Sequence, residues 1–261
     1  MDKKPLPIGV EDFRILREDE YYYIDKTFLI KDLLDQKGSV NLFLRPRRFG
    51  KTLNLSMLKY YFEKPINSEQ DNSYLFEDTL IWDAGEKYRK EFAKYPIISM
   101  SLKNATQLSF ESMYEELKKI ISKEYKRHEY LLESEKLSDQ DKKEFKQIMI
   151  LETNSKTDYK NSLLKLTDLL YQHYNQRVII IIDEYDAPFQ KAFVNGFYKE
   201  AIDFIASFLG NAMKTNEHMQ FGIMTGCMRI LKESVFTGFN NLIVNSILTP
   251  NYSEMFGFTQ N

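Results

Sequence analysis

A chain of 261 residues is long enough to bury a full core, as one α/β domain or as one domain with an insert. Apolar and charged fractions of 43% and 28% are those of a soluble globular protein, and a formal net charge of −2 gives no global attraction to nucleic acid, leaving only a local basic patch as a route to it. The single cysteine, Cys227, excludes an intrachain disulfide. With no N-terminal apolar stretch and no run long enough to span a bilayer, the expected location is the cytoplasm, away from any membrane.

The first residues, from Leu6 to Asp25, carry turn formers and the run Tyr21 to Tyr23, which reads as an arm plus a short strand. Phe28, Leu29, Leu33 and Leu34 then recur at helical spacing, with Thr27 as the expected N-cap. Val40 to Leu44 is a short apolar run of the kind a buried strand shows. It breaks into a polar loop holding Pro46 and Gly50, and a helix follows with Leu55, Leu58, Tyr61 and Phe62 on one face. Strand, loop and helix, with Gly50-Lys51-Thr52 at the helix start, is the layout of a phosphate-binding loop. Unpaired amides and the positive end of the helix dipole suit an anion, a lysine reaches the terminal phosphates, and a hydroxyl can ligate Mg²⁺. One position departs from G-x-x-x-x-G-K-[ST]: the first glycine is Arg45, which implies a different entry to the loop or a damaged one. Asp25, Lys26 and Thr27, just before this unit, are candidates to hold a nucleotide's base, although capping and surface contacts are the favoured reading.

Further on, Leu75 to Trp82 and the stretch to Tyr95 read as helical, and Pro96 to Leu102 as a strand. Residues 103–175 show no strand signal and read as a helical insertion. Phe110, Met113, Tyr114, Leu117, Ile120 and Ile121 form one helix face after Ser109. Ser138 and Asp141 resemble a capping box for a second helix, and Leu163, Leu166, Leu169 and Leu170 mark a third. Lys118, Lys119, Lys123, Lys126 and Arg127 are read as a solvated face in preference to a nucleic-acid patch.

Val178 to Ile182 is wholly β-branched, as a central parallel strand covered on both faces would be, and it ends abruptly in Asp183-Glu184-Tyr185-Asp186. Carboxylates at the carboxyl end of such a strand can hold Mg²⁺ and position a water for phosphoryl transfer. Beyond Pro188 a loop with Asn195 and Gly196 is expected, then a helix through Ile202, Ile205, Leu209, Ala212 and Met213. Phe221 to Gly226 reads as another buried strand. Its Thr225 is either within reach of a γ-phosphate or a helix cap, and Arg229 follows on the next turn. Ser234 to Asn241 reads as a loop and Leu242 to Leu248 as a last strand. The aromatics Phe256 and Phe258, with Thr259 as a cap lacking its helix, lead to the expectation that the native protein continues. His128, His173 and His218 show no metal-ligand spacing, and Cys227 reads as a small packed hydrophobe.

Together these segments resemble the AAA-ATPase-like family of bacterial proteins over almost the whole chain. The resemblance is carried by Ile8 to Phe13, Tyr23 to Thr27, Arg45 to Leu53, Asp183 to Asp186, Thr225 to Ile230, Lys232 to Gly238 and Tyr252 to Thr259. It implies that Arg in place of the first glycine is usual, that the sheet runs 5-1-4-3-2 with one strand between the two motif strands, and that such a domain commonly precedes a PD-(D/E)XK nuclease-like domain, absent from this sequence. The fold expected is therefore an α/β P-loop NTPase of AAA-like type: a mostly parallel sheet flanked by helices, with the helical insertion. ATP and Mg²⁺ are the expected ligands. Arg47, Arg48, Phe49, Gly50, Lys51, Thr52 and Leu53 would bind the nucleotide, Thr52 and Asp183 the metal, Glu184 would activate water, and Thr225 would sense the γ-phosphate. Arg229, Arg47 or Arg48 would stabilise charge, in cis or toward a neighbouring subunit of a homo-oligomer. Expected partners are ATP, a C-terminal nuclease-like domain and, through it, nucleic acid. A non-hydrolysing nucleotide-binding module and a nucleic-acid scaffold are the alternatives.

Overall fold

A computed structural model of the chain describes residues 4–66, 71–230 and 241–258. Helices α1 (Phe13–Glu18) and α2 (Phe28–Gln36) lead into β1 (Val40–Leu44) and α3 (Lys51–Phe62). Two short helices, α4 (Leu80–Asp83) and α5 (Glu86–Arg89), precede β2 (Ile97–Ser101). Then come α6 (Phe110–Arg127), α7 (Asp139–Met149), α8 (Lys156–Tyr174), β3 (Val178–Asp183), α9 (Ala187–Val194), α10 (Tyr198–Met213), β4 (Met219–Gly226) and β5 (Leu242–Asn245).

The five strands pair in parallel in the order β2-β3-β4-β1-β5. This is the expected order, with β4 between the two motif strands. Because all five run the same way, their carboxyl ends line one edge of the sheet. The apolar runs have no polar alternation because helices cover both faces. Along β3, Val178, Ile180 and Ile182 join a core with α6, α7, α8, α9 and α10, while Ile179 and Ile181 join the opposite core with α1 to α3, Tyr252 and Phe256. The three helices expected between β2 and β3 are present as α6, α7 and α8, and they share one apolar core with the sheet. Ser138 and Asp141 form the expected capping box of α7, and Ser109 caps α6.

Several local expectations are corrected. Tyr21 to Tyr23 form no strand. The ordered element there is α1, started by Asp12, whose carboxylate accepts from the Arg14 and Ile15 amides at 2.9 and 3.1 Å. The tyrosine run lies outside the sheet: the Tyr21 and Tyr22 amides donate to the Leu16 and Pro5 carbonyls at 3.2 and 2.8 Å, and Tyr23 packs its ring on Phe13. The stretch around Pro188 is helix α9, since a proline in the first helical turn gives up no intrahelical bond. Thr27 precedes α2 but does not cap it; its hydroxyl accepts from the Ile81 amide of α4 at 3.0 Å, and Asp25 accepts from the Leu80 amide at 2.7 Å. Those two side chains are thus engaged in capping, as favoured. The last strand stops at Asn245. The expectations for residues 234–240, for the motif Lys232 to Gly238 and for Thr259 fall outside the described residues.

Candidate functional site

The carboxyl edge of the sheet gathers the polar residues. β1 ends beside Gly226 of β4, and Ser101 of β2 pairs with Asp183 of β3. Arg45 follows β1 directly, its amide donating to the Gly226 carbonyl at 3.1 Å. Its side chain does not line the loop but turns inward and is 2% exposed. Nη1 donates to the Leu44 and Asn245 carbonyls at 2.9 and 2.7 Å, Nη2 donates to the Tyr252 carbonyl at 3.3 Å, and the guanidinium lies 5.1 Å from the centre of the Phe256 ring. Burial without a carboxylate partner lowers its pKa from the ordinary value. Arginine at this position therefore joins β1 to β5 and to residues 252–256, which gives the loop a different entry.

The loop itself is exposed at Arg47, Arg48 and Gly50. Arg48 and Gly50 take left-handed backbone angles, φ 68° and 72°, so the chain curls before Gly50 caps α3. Among the described residues, the amides from Arg47 to Leu53 have no hydrogen-bond acceptor. The loop's far side is held by contacts from the C-terminal segment. The Gly257 amide donates to the Phe49 carbonyl at 3.2 Å, and a Cβ on Gly257 would lie 2.8 Å from the Phe49 ring. Asn54 of α3 donates to the Met255 carbonyl at 2.8 Å. Lys51 is 7% exposed, and its ammonium donates to the Arg45 and Pro46 carbonyls at 2.9 and 3.0 Å. Its third donor meets only the Cys227 sulfur at 3.5 Å, a weak acceptor that a phosphate oxygen would outcompete.

Opposite the loop, Asp183 is nearly buried and fully engaged. Oδ2 accepts from the Thr52 hydroxyl at 2.7 Å, and Oδ1 accepts from the Glu184 amide at 2.9 Å and from the Thr225 hydroxyl. Thr225 lies within β4 and is completely buried, so it caps no helix; its hydroxyl holds Asp183. Glu184 is a left-handed non-glycine residue, φ 50°, a costly conformation just past the end of β3, and its side chain is half-buried. Its carboxylate has no hydrogen-bond partner among the described residues. Burial first, and Asp183 second, raise its pKa above 4.5, while Lys103 and Lys51 partly offset this. Arg229 is exposed on the turn after β4.

Lys51, Thr52, Asp183, Glu184 and Thr225 thus come together, while Arg47, Arg48 and Arg229 ring the site from exposed positions. Two features went unread in the sequence. Lys103, just past the carboxyl end of β2, lies close enough to act on Glu184, and the strand-end rule that singled out Asp183 applies equally to it. The contacts of Tyr185 and Asp186 are long-range and carry no local signal. No three His, Cys, Asp or Glu side chains among the described residues are placed to hold a metal unaided. Thr52 and Asp183 could hold a cation that takes its other ligands from phosphate and water, as Mg²⁺ commonly does.

A parallel sheet with this order, with the Gly50-Lys51-Thr52 loop between β1 and α3, has the fold of a P-loop NTPase-like α/β protein. The chain belongs to the AAA-ATPase-like family, described as "Predicted AAA-ATPase", whose pattern matches residues 7–236. Over an alignment of 265 positions that covers all of this chain, it is also 25% identical to an "Uncharacterized protein in vnfD 5'region" of Azotobacter chroococcum mcd 1, and it spans 44% of that protein's length. No solved structure matches. Among the described residues, no helix is long and apolar enough to cross a membrane.

Proposed function

We propose that the domain binds ATP with Mg²⁺ and hydrolyses it slowly. The observation that supports this best is the run of acceptor-free amides from Arg47 to Leu53, set at the N-terminus of α3 beside a buried lysine. In this reading the amides of Arg47, Arg48, Phe49, Gly50, Lys51, Thr52 and Leu53 cradle the phosphates. Lys51 gives its weakly used third donor to them. Thr52 and Asp183 hold the Mg²⁺, which neutralises phosphate charge when bound. Glu184, with its raised pKa and unpaired carboxylate, takes the proton of the attacking water. Thr225 acts by fixing Asp183. Arg229, Arg47 or Arg48 stabilises the developing charge, here or on a neighbouring copy. Turnover on the order of 10⁻² per second fits a site that awaits an external arginine. Such a cycle serves as a switch or motor for a further region, nuclease-like in the family reading, and the C-terminal segment gripping Phe49 and Asn54 is where the loop's state would be passed on.

The test is nucleotide binding and phosphate release by the full chain, by Lys51→Ala and by Glu184→Gln. Lost binding in the first, with kept binding and lost turnover in the second, is the expected result. Absence of saturable ATP binding by the parent chain overturns the reading. Binding without turnover moves it to a non-hydrolysing module, which the unpaired Glu184 disfavours.

A further inference from the structure

Tyr185 and Asp186 follow the two acids of the site. Both turn toward the segment that leaves β4. Asp186 is 2% exposed, and its Oδ2 accepts two consecutive amides, Cys227 at 2.9 Å and Met228 at 2.8 Å. The Tyr185 ring is fully buried; its hydroxyl donates to the Met228 carbonyl at 2.7 Å and accepts from the Ile230 amide at 3.1 Å. The fit is close enough to dictate glycine at 226, where a Cβ would lie 2.6 Å from the Tyr185 ring and 2.7 Å from the Asp186 carboxylate. A further bond runs from the Tyr185 amide to the Thr225 carbonyl at 3.0 Å. The turn held in this way carries Cys227, 3.5 Å from the Lys51 ammonium, and Arg229.

We propose that Tyr185 and Asp186 are positioning residues that clamp the turn 227–230 over the loop lysine, so that loosening the clamp slows turnover without weakening nucleotide binding. The proposal rests on the ATPase reading for its rate effect. A carboxylate that accepts two adjacent amides fixes their direction, and the tyrosine fixes the two residues that follow. The four residues Asp183 to Asp186 then divide into a pair that faces the chemistry and a pair that holds the opposite wall. A displacement of the wall by an ångström is enough to misplace the groups facing the reacting phosphate.

The experiment uses the full chain with Tyr185→Phe, Asp186→Ala and Asp186→Asn. It reads Mg·ATP affinity, steady-state turnover, thermal unfolding and the rate at which iodoacetamide alkylates Cys227, the chain's single cysteine. Tyr185→Phe is expected to lower kcat about tenfold with Kd changed less than about threefold, and Asp186→Ala to lower it further. Asp186→Asn recovers part of the loss, because its amide oxygen still accepts. Alkylation of Cys227 is expected to be about fivefold faster in Tyr185→Phe and Asp186→Ala as the turn opens locally. Unchanged alkylation in folded variants overturns the clamp, and faster alkylation with unchanged kcat overturns its role in turnover. If Asp186→Ala does not fold, Tyr185→Phe, which removes one oxygen, decides alone. A parent chain with no turnover counts against the ATPase reading; the alkylation rates then still support or overturn the clamp.

Discussion

The two ends of the sheet treat buried charge in opposite ways. At the amino end of β2, Glu124 accepts from the Ser99 amide at 2.7 Å and pairs with Arg127 at 2.6 Å. Arg127 also reaches Glu63, the residue that ends α3, and the Ile97 carbonyl, and His128 lies between the Tyr130 hydroxyl at 2.9 Å and the Ile97 carbonyl at 3.1 Å. This network ties α3, α6 and β2 together, and its ions are paired within the protein. At the carboxyl end, among the described residues, Lys51 faces two carbonyls and a thiol with no carboxylate, Glu184 has no hydrogen-bond partner, and a run of amides lacks acceptors. A completed network can only lose by change, so it acts as a fastener. An incomplete one can gain from a ligand, so it is where binding is expected.

The largest separation of the two ends should come from Glu184→Gln. Removing a positioned base typically costs 10²–10⁴ in rate, so phosphate release should fall by about that factor with ATP affinity kept. Because the folded protein raises this carboxyl's pKa, its ionised form is disfavoured in the fold, and stability contributed at this position falls as pH rises above 4.5. Glu184→Gln should therefore unfold at an equal or higher urea concentration than the parent at pH 7. Activity should show the mirror image: the acid limb of kcat/KM, which reports the free enzyme, lies above the ordinary glutamate value of 4.5. A limb at or below that value would remove Glu184 as the base.

Next comes the fastener. Glu124→Ala leaves Arg127 and His128 buried with fewer partners, and breaking such a pair costs roughly 3–5 kcal/mol. Urea unfolding should show this loss, while the folded fraction keeps its ATP affinity. A shift in affinity instead of stability would erase the distinction between the ends. Arg45→Ala falls between them in place and in size. It leaves three buried carbonyls without their charged donor, and a loss of about 2–3 kcal/mol is expected, with faster proteolysis of the segment around Tyr252 as the local readout.

Arg45 also shows what the sequence could and could not reveal. The strand–loop–helix around Gly50-Lys51-Thr52 and the acids after Ile182 were legible because each is a local pattern with a mechanism. The parallel order of strands was not legible in the residues and came with the family resemblance. The partner of a side chain 200 positions away, such as Asn245 for Arg45, leaves no mark on the local pattern. The same holds for the grip of Asp186 on the turn after β4. Short elements were misread for a related reason. Helix α1 buries only Phe13 and Leu16, too few positions to establish a period, and α9 was hidden by the proline in its first turn.

A smaller effect is set by protons. His128 is buried and its pKa lies below 6.5, chiefly through desolvation, with Arg127 adding to the shift and Glu124 opposing it. An unfolded chain therefore binds a proton here that the folded chain refuses, and stability should decline as pH falls below 6.5. Glu124 adds a second decline below 4.5: burial pushes its pKa up, but Arg127 and His128 outweigh burial and hold it well below the usual range. Urea titrations from pH 7.5 down to about pH 3 should show both limbs, and His128→Gln should flatten the first. His173, also lowered by partial burial, contributes to the same limb, so His173→Gln is the control and should flatten it less.

The smallest expected effect concerns the lysines of α6, which together with Arg45, Arg47 and Arg48 are the basis for a nucleic-acid reading. In the structure Lys118 pairs with Glu115 at 2.6 Å and Lys119 with Glu116 at 3.4 Å, so the helix neutralises much of its own charge. Lys118 also lies over the Tyr114 and Tyr159 rings, which makes its stem a packing element. Exposed pairs of this kind are worth about 0.2–1 kcal/mol, so Lys119→Ala should move stability by less than that. A nucleic-acid face would behave differently. Each phosphate contact adds about 0.9 to the salt slope on duplex DNA, so the double variant Lys119→Ala/Lys123→Ala would flatten that slope by about two. With the charge already balanced along the helix, the expected result is no saturable DNA or RNA binding at about 0.1–0.2 M salt in the parent or the variant. Saturable binding with that change in slope would give this face a function of its own, separate from both ends of the sheet.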